Sequence, residues 1–413
     1  MAEKFDLIVR DGYIQSKDSI VDIGVIDDRI ATIDSEISET GEVELNAVDN
    51  LVSPGFVDCH KHLDKAFAAS GERFPKYNKE SFEIEPVVNT GAEYFEATPK
   101  EDLVERATRA AKLAACHGTS HIRSHVTVDT TAGTKTAEAV IEAREEVSDI
   151  IDIEIVPYSE QAYLDEGETE RILRDCMESG ADIVGGMDPL YLENNIDDVL
   201  ELWFEIATDF DAGIDCHIHE HGTLGNYTIN RVAEFTTDYG YGGKVTVSHG
   251  LAIADVTNEQ QEATLQHLEE AGVGLVTCYN STPSTMPVKR IIDSDVRFGH
   301  GTDNDRDFVY PHGNADTLQG LLVESLMLKN DPTNYIGYRY FNTNDGLDDL
   351  WQMATYGSAN ILGLDDYGLE EGCMADFVVF DAPSRQWAIT TQATRKYVVK
   401  RGQLIAENET IIE

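Results

Sequence analysis

Residues 55–62, GFVDCHKH, decide the fold. An apolar start runs into a polar end in which two histidines stand two apart. Along an extended strand, side chains at i and i+2 share a face, so His60 and His62 can aim at one point. Outward from this segment the same pattern recurs seven times, each time a short apolar run with a polar end. The runs are 119-TSHIRSHV-126, 151-IDIEIVPYSE-160, 181-ADIVGGMD-188, 213-GIDCHIHE-220, 244-KVTVSHG-250, 272-GVGLVTCYN-280 and 295-DVRFGHGTDN-304. Helical patterns separate them, such as 100-KEDLVERATRAAKLAACH-117 and 257-TNEQQEATLQHLEEA-271. Eight strand–helix units in series predict an α/β chain folded as a (β/α)8 TIM barrel.

The two ends of the chain read differently. Residues 5-FDLIVRDGYI-14, 20-IVDIGVIDDRIATID-34 and 43-VELNAV-48 are β-rich and broken by DG and DD turns. So are 375-ADFVVFD-381, 386-QWAI-389 and 396-KYVVKRGQLIAE-407. The expectation is a small β-sandwich built from residues 1–52 and 364–413, beside a barrel of residues 53–363. The connection 65–99 is too long for a simple loop and is expected to cover the site.

Charge narrows the choice of partner. The 413 residues carry 77 acids against 31 bases, a net charge of −46. The acids are spread along the chain, a pattern that repels nucleic acid and anionic membranes. Such a surface resembles those of proteins from salt-loving microbes, and a high-salt cytosol is expected. The six cysteines form no CxxC pair, which fits a reducing compartment. The N-terminal stretch MAEKFDLIVRDGYI has no apolar signal core, so a cytoplasmic location is expected.

Polar side chains gather at the C-terminal ends of the strands, the face that carries catalytic groups in such barrels. His60 and His62 end strand one; His217, His219, Glu220 and His221 end strand five. His249 ends strand six, and Asp303 and Asn304 end strand eight. Three neutral imidazoles with one carboxylate suit a single divalent ion that keeps a place for water.

This pattern resembles that of the amidohydrolase superfamily, in its cytosine-deaminase-like branch. The stretches 52-VSPGFVDCHKHLDK-65 and 372-GCMADFVVFD-381 carry the resemblance, and 117-HGT-119, 217-HIH-219, 281-STPSTMPV-288 and 303-DNDRDF-308 are similar to s-triazine-degrading members. The resemblance implies His60, His62, His217 and Asp303 as ligands of one metal, Zn2+ as a rule and Fe2+ in some relatives. Binuclear members use a carbamylated lysine on strand four; 181-ADIVGGMDP-189 has no lysine. The resemblance also implies a small N-heterocyclic substrate, a homo-oligomer, and an active-site role for Lys65 at a substrate oxygen.

A divalent metal lowers the pKa of bound water to about 7, giving hydroxide that attacks a ring carbon bearing an amino or alkylamino group. His249 is expected to polarise the nucleophile, Glu220 to shuttle a proton, and Asp303 to accept the water proton. Asn304 joins this catalytic set where the branch commonly has a second aspartate, although an amide cannot act as a base. Glu160, with Gln161 beside it, stands where a glutamine usually reads the ring edge. Val309 or Tyr310 stands where an aromatic usually packs on the ring. His219 is read as turned away from His217 into the barrel wall, and His221 as structural. Asp64 has no role beyond holding a turn. Two other readings remain: hydrolysis of a cyclic amide, and a metal-binding homologue without catalysis.

Overall fold

The computed structural model describes residues 4–68, 85–164, 167–279, 286–328 and 340–412. Eight parallel barrel strands lie within them: β1 (Phe56–Lys61), β2 (Thr119–Thr127), β3 (Asp152–Tyr158), β4 (Ile183–Met187), β5 (Gly213–His217), β6 (Val245–Ser248), β7 (Val273–Cys278) and β8 (Phe298–Gly301). They pair in sequence order as β1–β2–β3 and β4–β5–β6–β7–β8. Two seams close the ring. At the first, Asp182 N–H donates to Ile155 O at 2.9 Å. At the second, Asp303 N–H donates to His60 O at 2.8 Å and His62 N–H to Asp303 O at 3.1 Å. A glycine stands at each seam. A Cβ on Gly185 would strike the Pro157 carbonyl, and one on Gly301 would lie 2.5 Å from His60 Cβ.

Helices pack outside the barrel by amphipathic spacing. Helix Lys100–Cys116 buries Leu103, Val104, Ala107, Ala110, Ala111 and Ala114, the i, i+3, i+4 stripe that faces a core. Helix Asn258–Ala271 starts at a capping box of Thr257 and Gln260.

The terminal segments meet in one nine-stranded sheet that forks at Phe5–Ile14. Leu51–Pro54 pairs antiparallel with Phe377–Phe380, joining the two ends of the chain. Leu7, Val9, Ile23, Val25, Phe377, Val379 and Val399 fill its core. Side chains fasten the sheet to the barrel: Lys400 Nζ lies 2.7 Å from Asp152 and 2.5 Å from Asp376, and Trp351 Nε1 donates to Ser53 at 3.0 Å.

One predicted strand is a helix. Residues 386–389 lie in helix Arg385–Thr391, where the Ser384 side chain caps the Trp387 N–H. Ala388 and Ile389 are buried while Trp387 is 55% exposed. A short apolar run carries no period by which helix and strand can be told apart. Of the long connection, residues 69–84 lie outside the described residues, as do 281–285 (STPST). Its described end, helix Glu85–Ala97, packs above the barrel. A Cβ on Gly91 would lie 3.3 Å from the Phe308 ring and 4.0 Å from the Glu160 carboxylate.

Candidate active site

The strand-end histidines converge on the barrel axis. The His60 ring centroid lies 4.6 Å from that of His217, 4.7 Å from His249 and 5.2 Å from His62. Two overlapping sets of donor atoms each fall within 4.8 Å of one another: His60, His249, Cys278 and Asp303, and His60, His125 and His217. Asp303 reaches the cluster from beyond the end of β8. Its φ of 63° and the 71° of His249 are left-handed, a conformation that costs non-glycine residues about 1–3 kcal/mol.

Hydrogen bonding decides which nitrogen each candidate ligand histidine presents. His62 Nδ1 faces the His125 carbonyl at 3.1 Å, and His217 Nδ1 faces the Gly186 carbonyl at 3.3 Å. A carbonyl only accepts, so each Nδ1 carries the proton and each Nε2 a lone pair. The Nε2 atoms of His60 and His217 are buried and without hydrogen-bond partners among the described residues. His62 Nε2 stands 3.3 Å, and His60 Nε2 3.9 Å, from the Asp303 carboxylate. Lone pairs facing a carboxylate at these distances suit a cation. The two close-set donor groups both contain His60 and split Asp303 from His217, and His62 joins neither, so the four expected ligands do not meet as one set with all donors within 4.8 Å. Burial first, with the neighbouring imidazoles, pushes His60, His217 and His249 well below the usual histidine range and keeps them neutral. Burial alone would raise Asp303; contact with His62 and then the Lys65 ammonium outweigh it and hold the carboxyl at about 2.

A second group borders the histidines. The Lys65 ammonium lies 3.3 Å from the Tyr158 hydroxyl, 3.5 Å from Glu160 and 5.9 Å from the Phe308 ring centroid. Burial lowers the Lys65 pKa, but Tyr158, Glu160, Asp64 and Asp307 overturn that and raise it well above the ordinary value. Glu160 accepts from the Tyr158 hydroxyl at 2.9 Å. Gln161 turns the other way and accepts from the Thr130 hydroxyl at 3.0 Å. Asn304 donates to Asp307 at 2.6 Å, and Asp307 accepts from the Val309 and Tyr310 N–H groups. Val309 is half-buried, while Phe308 is the ring buried beside Lys65. Asp64 accepts from the Thr127 N–H at 2.8 Å, tying the turn after β1 to β2.

Two placements differ from the sequence reading. His219 does not point into the wall: its ring lies 4.3 Å from His249, and its Nδ1 meets Asp188 at 2.8 Å. Residues two apart share a face, the same rule that aligns His60 with His62. Glu220 accepts from the Leu190 and Tyr191 N–H groups at 2.6 and 3.2 Å and from the Thr228 hydroxyl. Each oxygen already holds a protein donor, and a proton-shuttle role would require those bonds to open. His221 is exposed and pairs with Asp255.

Sequence reasoning missed His125, Tyr158 and Cys278. His125 stacks on His60 at 3.9 Å, and Tyr158 stacks on His217 at 4.4 Å. His125 shares the inward parity of Arg123 along β2, and that periodicity was the available signal.

Residues 51–405 match the Amidohydrolase family. The chain belongs to the amidohydrolase family. It is 40% identical over 413 residues, all of both chains, to "N-isopropylammelide isopropyl amidohydrolase" of Pseudomonas sp. strain ADP. It superposes with a TM-score of 0.88 at 28% identity on N-isopropylammelide isopropylaminohydrolase of Burkholderia multivorans, covering 98% of this chain and 99% of that one. The 5-methylcytosine deaminase of Klebsiella pneumoniae shares the fold at a TM-score of 0.85 and 22% identity, covering 98% of each chain. The expected superfamily and barrel class thus hold, and the chain is an enzyme acting on carbon–nitrogen bonds other than peptide bonds. No helix among the described residues is long and apolar enough to cross a membrane.

Proposed function

We propose that the enzyme hydrolytically removes an amino or alkylamino group from an N-heteroaromatic ring, an s-triazine or a pyrimidine. The observation that carries this reading is the convergence of three buried histidines and Asp303 beside the buried Lys65–Glu160 pair. The full-length likeness to an N-isopropylammelide hydrolase supports it. His60, His62, His217 and Asp303 would hold one divalent ion, Zn2+ first and Fe2+ second. Such an ion, when bound, polarises water and lowers its pKa to about 7.

The residues of the chain then divide the work. Asp303 takes the water proton at a carboxylate oxygen. Neutral His249 polarises the attacking oxygen. Lys65 donates from Nζ to a ring oxygen, and Glu160 accepts a ring N–H. Asn304 and Asp307 brace the turn that carries Val309 against the ring. Phe308 and helix Glu85–Ala97 keep water from the ring face. Water adds to the ring carbon, the carbon–nitrogen bond breaks, and the amine leaves with the proton. Glu220 serves this site as an anchor of the turn before Leu190. We place the enzyme in a salt-rich cytosol as a homo-oligomer, with residues 1–52 and 364–413 as one unit and 53–363 as the other.

The test uses purified, Zn2+-loaded protein in molar KCl. Isopropylamine release from N-isopropylammelide, or ammonia release from ammelide or cytosine, is expected. No amine from any of them, with one metal bound per chain, refutes the proposal.

A further inference from the structure

The geometry points to Ser248 and Asp215 as the positioning residues that set which nitrogen His60 offers to a metal ion. His62 and His217 take their orientation from backbone carbonyls, which no substitution removes. His60 differs, because its Nδ1 meets a side chain, the Ser248 hydroxyl, at 2.9 Å. Ser248 ends β6 and is fully buried, and its register partner on β5 is His217.

The direction of the His60 bond follows from the next link. Ser248 Oγ lies 2.8 Å from Asp215 Oδ1, and Asp215 is also fully buried. A carboxylate only accepts, so the single serine proton points to Asp215. The serine oxygen is left with lone pairs alone, and the His60 nitrogen facing it carries the hydrogen. His60 Nε2 is then the lone-pair atom, buried and aimed at the Asp303 side of the cluster. Arg123 donates to the other Asp215 oxygen at 3.0 Å and to Glu154 at 2.9 Å, holding the carboxylate in place. The chain Arg123–Asp215–Ser248–His60 therefore spans β2, β5, β6 and β1 in unbroken hydrogen bonds. Without the serine hydroxyl, His60 has no acceptor for an Nδ1 proton among the described residues, and the other tautomer blocks Nε2.

This inference rests on the metal reading above, and its test reads metal binding and not turnover. Zn2+ affinity of the full chain is measured by chelator competition, with the visible spectrum of the Co2+-substituted protein as a second readout. Loss of such an orienting partner weakens metal binding about 10–100-fold. Ser248→Ala is expected to show that loss and a changed Co2+ spectrum, and Ser248→Thr, which keeps the hydroxyl, to restore both. Thr246→Val removes another buried hydroxyl on the same strand, 3.4 Å from Arg123, and is expected to bind like the parent. If Ser248→Ala does not fold, Asp215→Asn is read in its place, with the same loss expected. Parent-like Zn2+ affinity in the variant that is read, or an equal loss in Thr246→Val, overturns the relay. A parent chain that binds no divalent metal overturns the metal reading with it.

Discussion

Replacing Lys65 by Met isolates the buried charge beside the histidines. The Lys65 side chain is 3% exposed and that of Glu160 11%, so water screens little of their interaction. Removing one partner of a buried pair leaves the other charge uncompensated and costs about 3–5 kcal/mol. In the parent, burial raises the Glu160 pKa, but Lys65 and Tyr158 outweigh it and the net value is lowered. Stability from this carboxylate is therefore present above its unfolded pKa and lost as pH falls through the lower folded one. In Lys65→Met the main opposing charge is gone, and burial lifts the folded pKa above the unfolded value. The sign then reverses: the variant is most penalised at pH 7.5 and recovers, relative to the parent, as pH falls toward 5 and Glu160 takes a proton. Urea unfolding midpoints of parent, Lys65→Met, Glu160→Gln and the double variant, at both pH values in 2 M KCl, give the coupling directly. The double variant is expected to regain most of the loss. A cost under about 1 kcal/mol at pH 7.5, or a gap that does not narrow at pH 5, refutes the account of a charge-compensated pair.

Gly301→Ala should drive a methyl into His60 at the barrel seam; a loss of about 1–3 kcal/mol and weaker Zn2+ binding are expected, read by melting and chelator competition. Burial raises the Asp152 pKa, but His121 and Lys400 overcome it and depress it strongly. The stability it adds is therefore present above the ordinary carboxylate value near about 4 and lost below it. Asp152→Asn should be less stable than the parent at pH 6, with the difference shrinking at pH 3 in denaturant midpoints. A net charge of −46 predicts a melting temperature that rises between 0.1 and 2 M KCl, as the screening length falls from about 10 Å to under about 3 Å. A flat or falling curve contradicts self-repulsion as a main destabilising force.

The barrel was legible because each strand is a short apolar run with a polar end and a helix after it. What escaped was of four kinds. The run 386–389 was too short to show a period, and a serine cap made it helical. His219 was misplaced by ignoring the two-residue rule that had placed His60 and His62. His125 and Tyr158 carry no motif, and their place depends on rings stacking across strands far apart in sequence. Buried charge was the hardest to read. Lys61 looks like a surface lysine but lies fully buried, 2.5 Å from Asp305. In so acidic a chain, nothing in composition separates such a carboxylate from those on the surface.

The seam between β1 and β8 has a consequence for biosynthesis. His60 emerges early, but its neighbour across the seam, Asp303, is made about 240 residues later, and the Phe377–Phe380 strand that secures Leu51–Pro54 later still. At about 5–20 residues per second, the first half of the site waits on the order of ten seconds or more for the second. During that interval the nascent chain holds exposed β1 and terminal strands with unmatched edges. A metal ion that bridges the seam would act as a latch, closing first strand to last only once the whole barrel has been made.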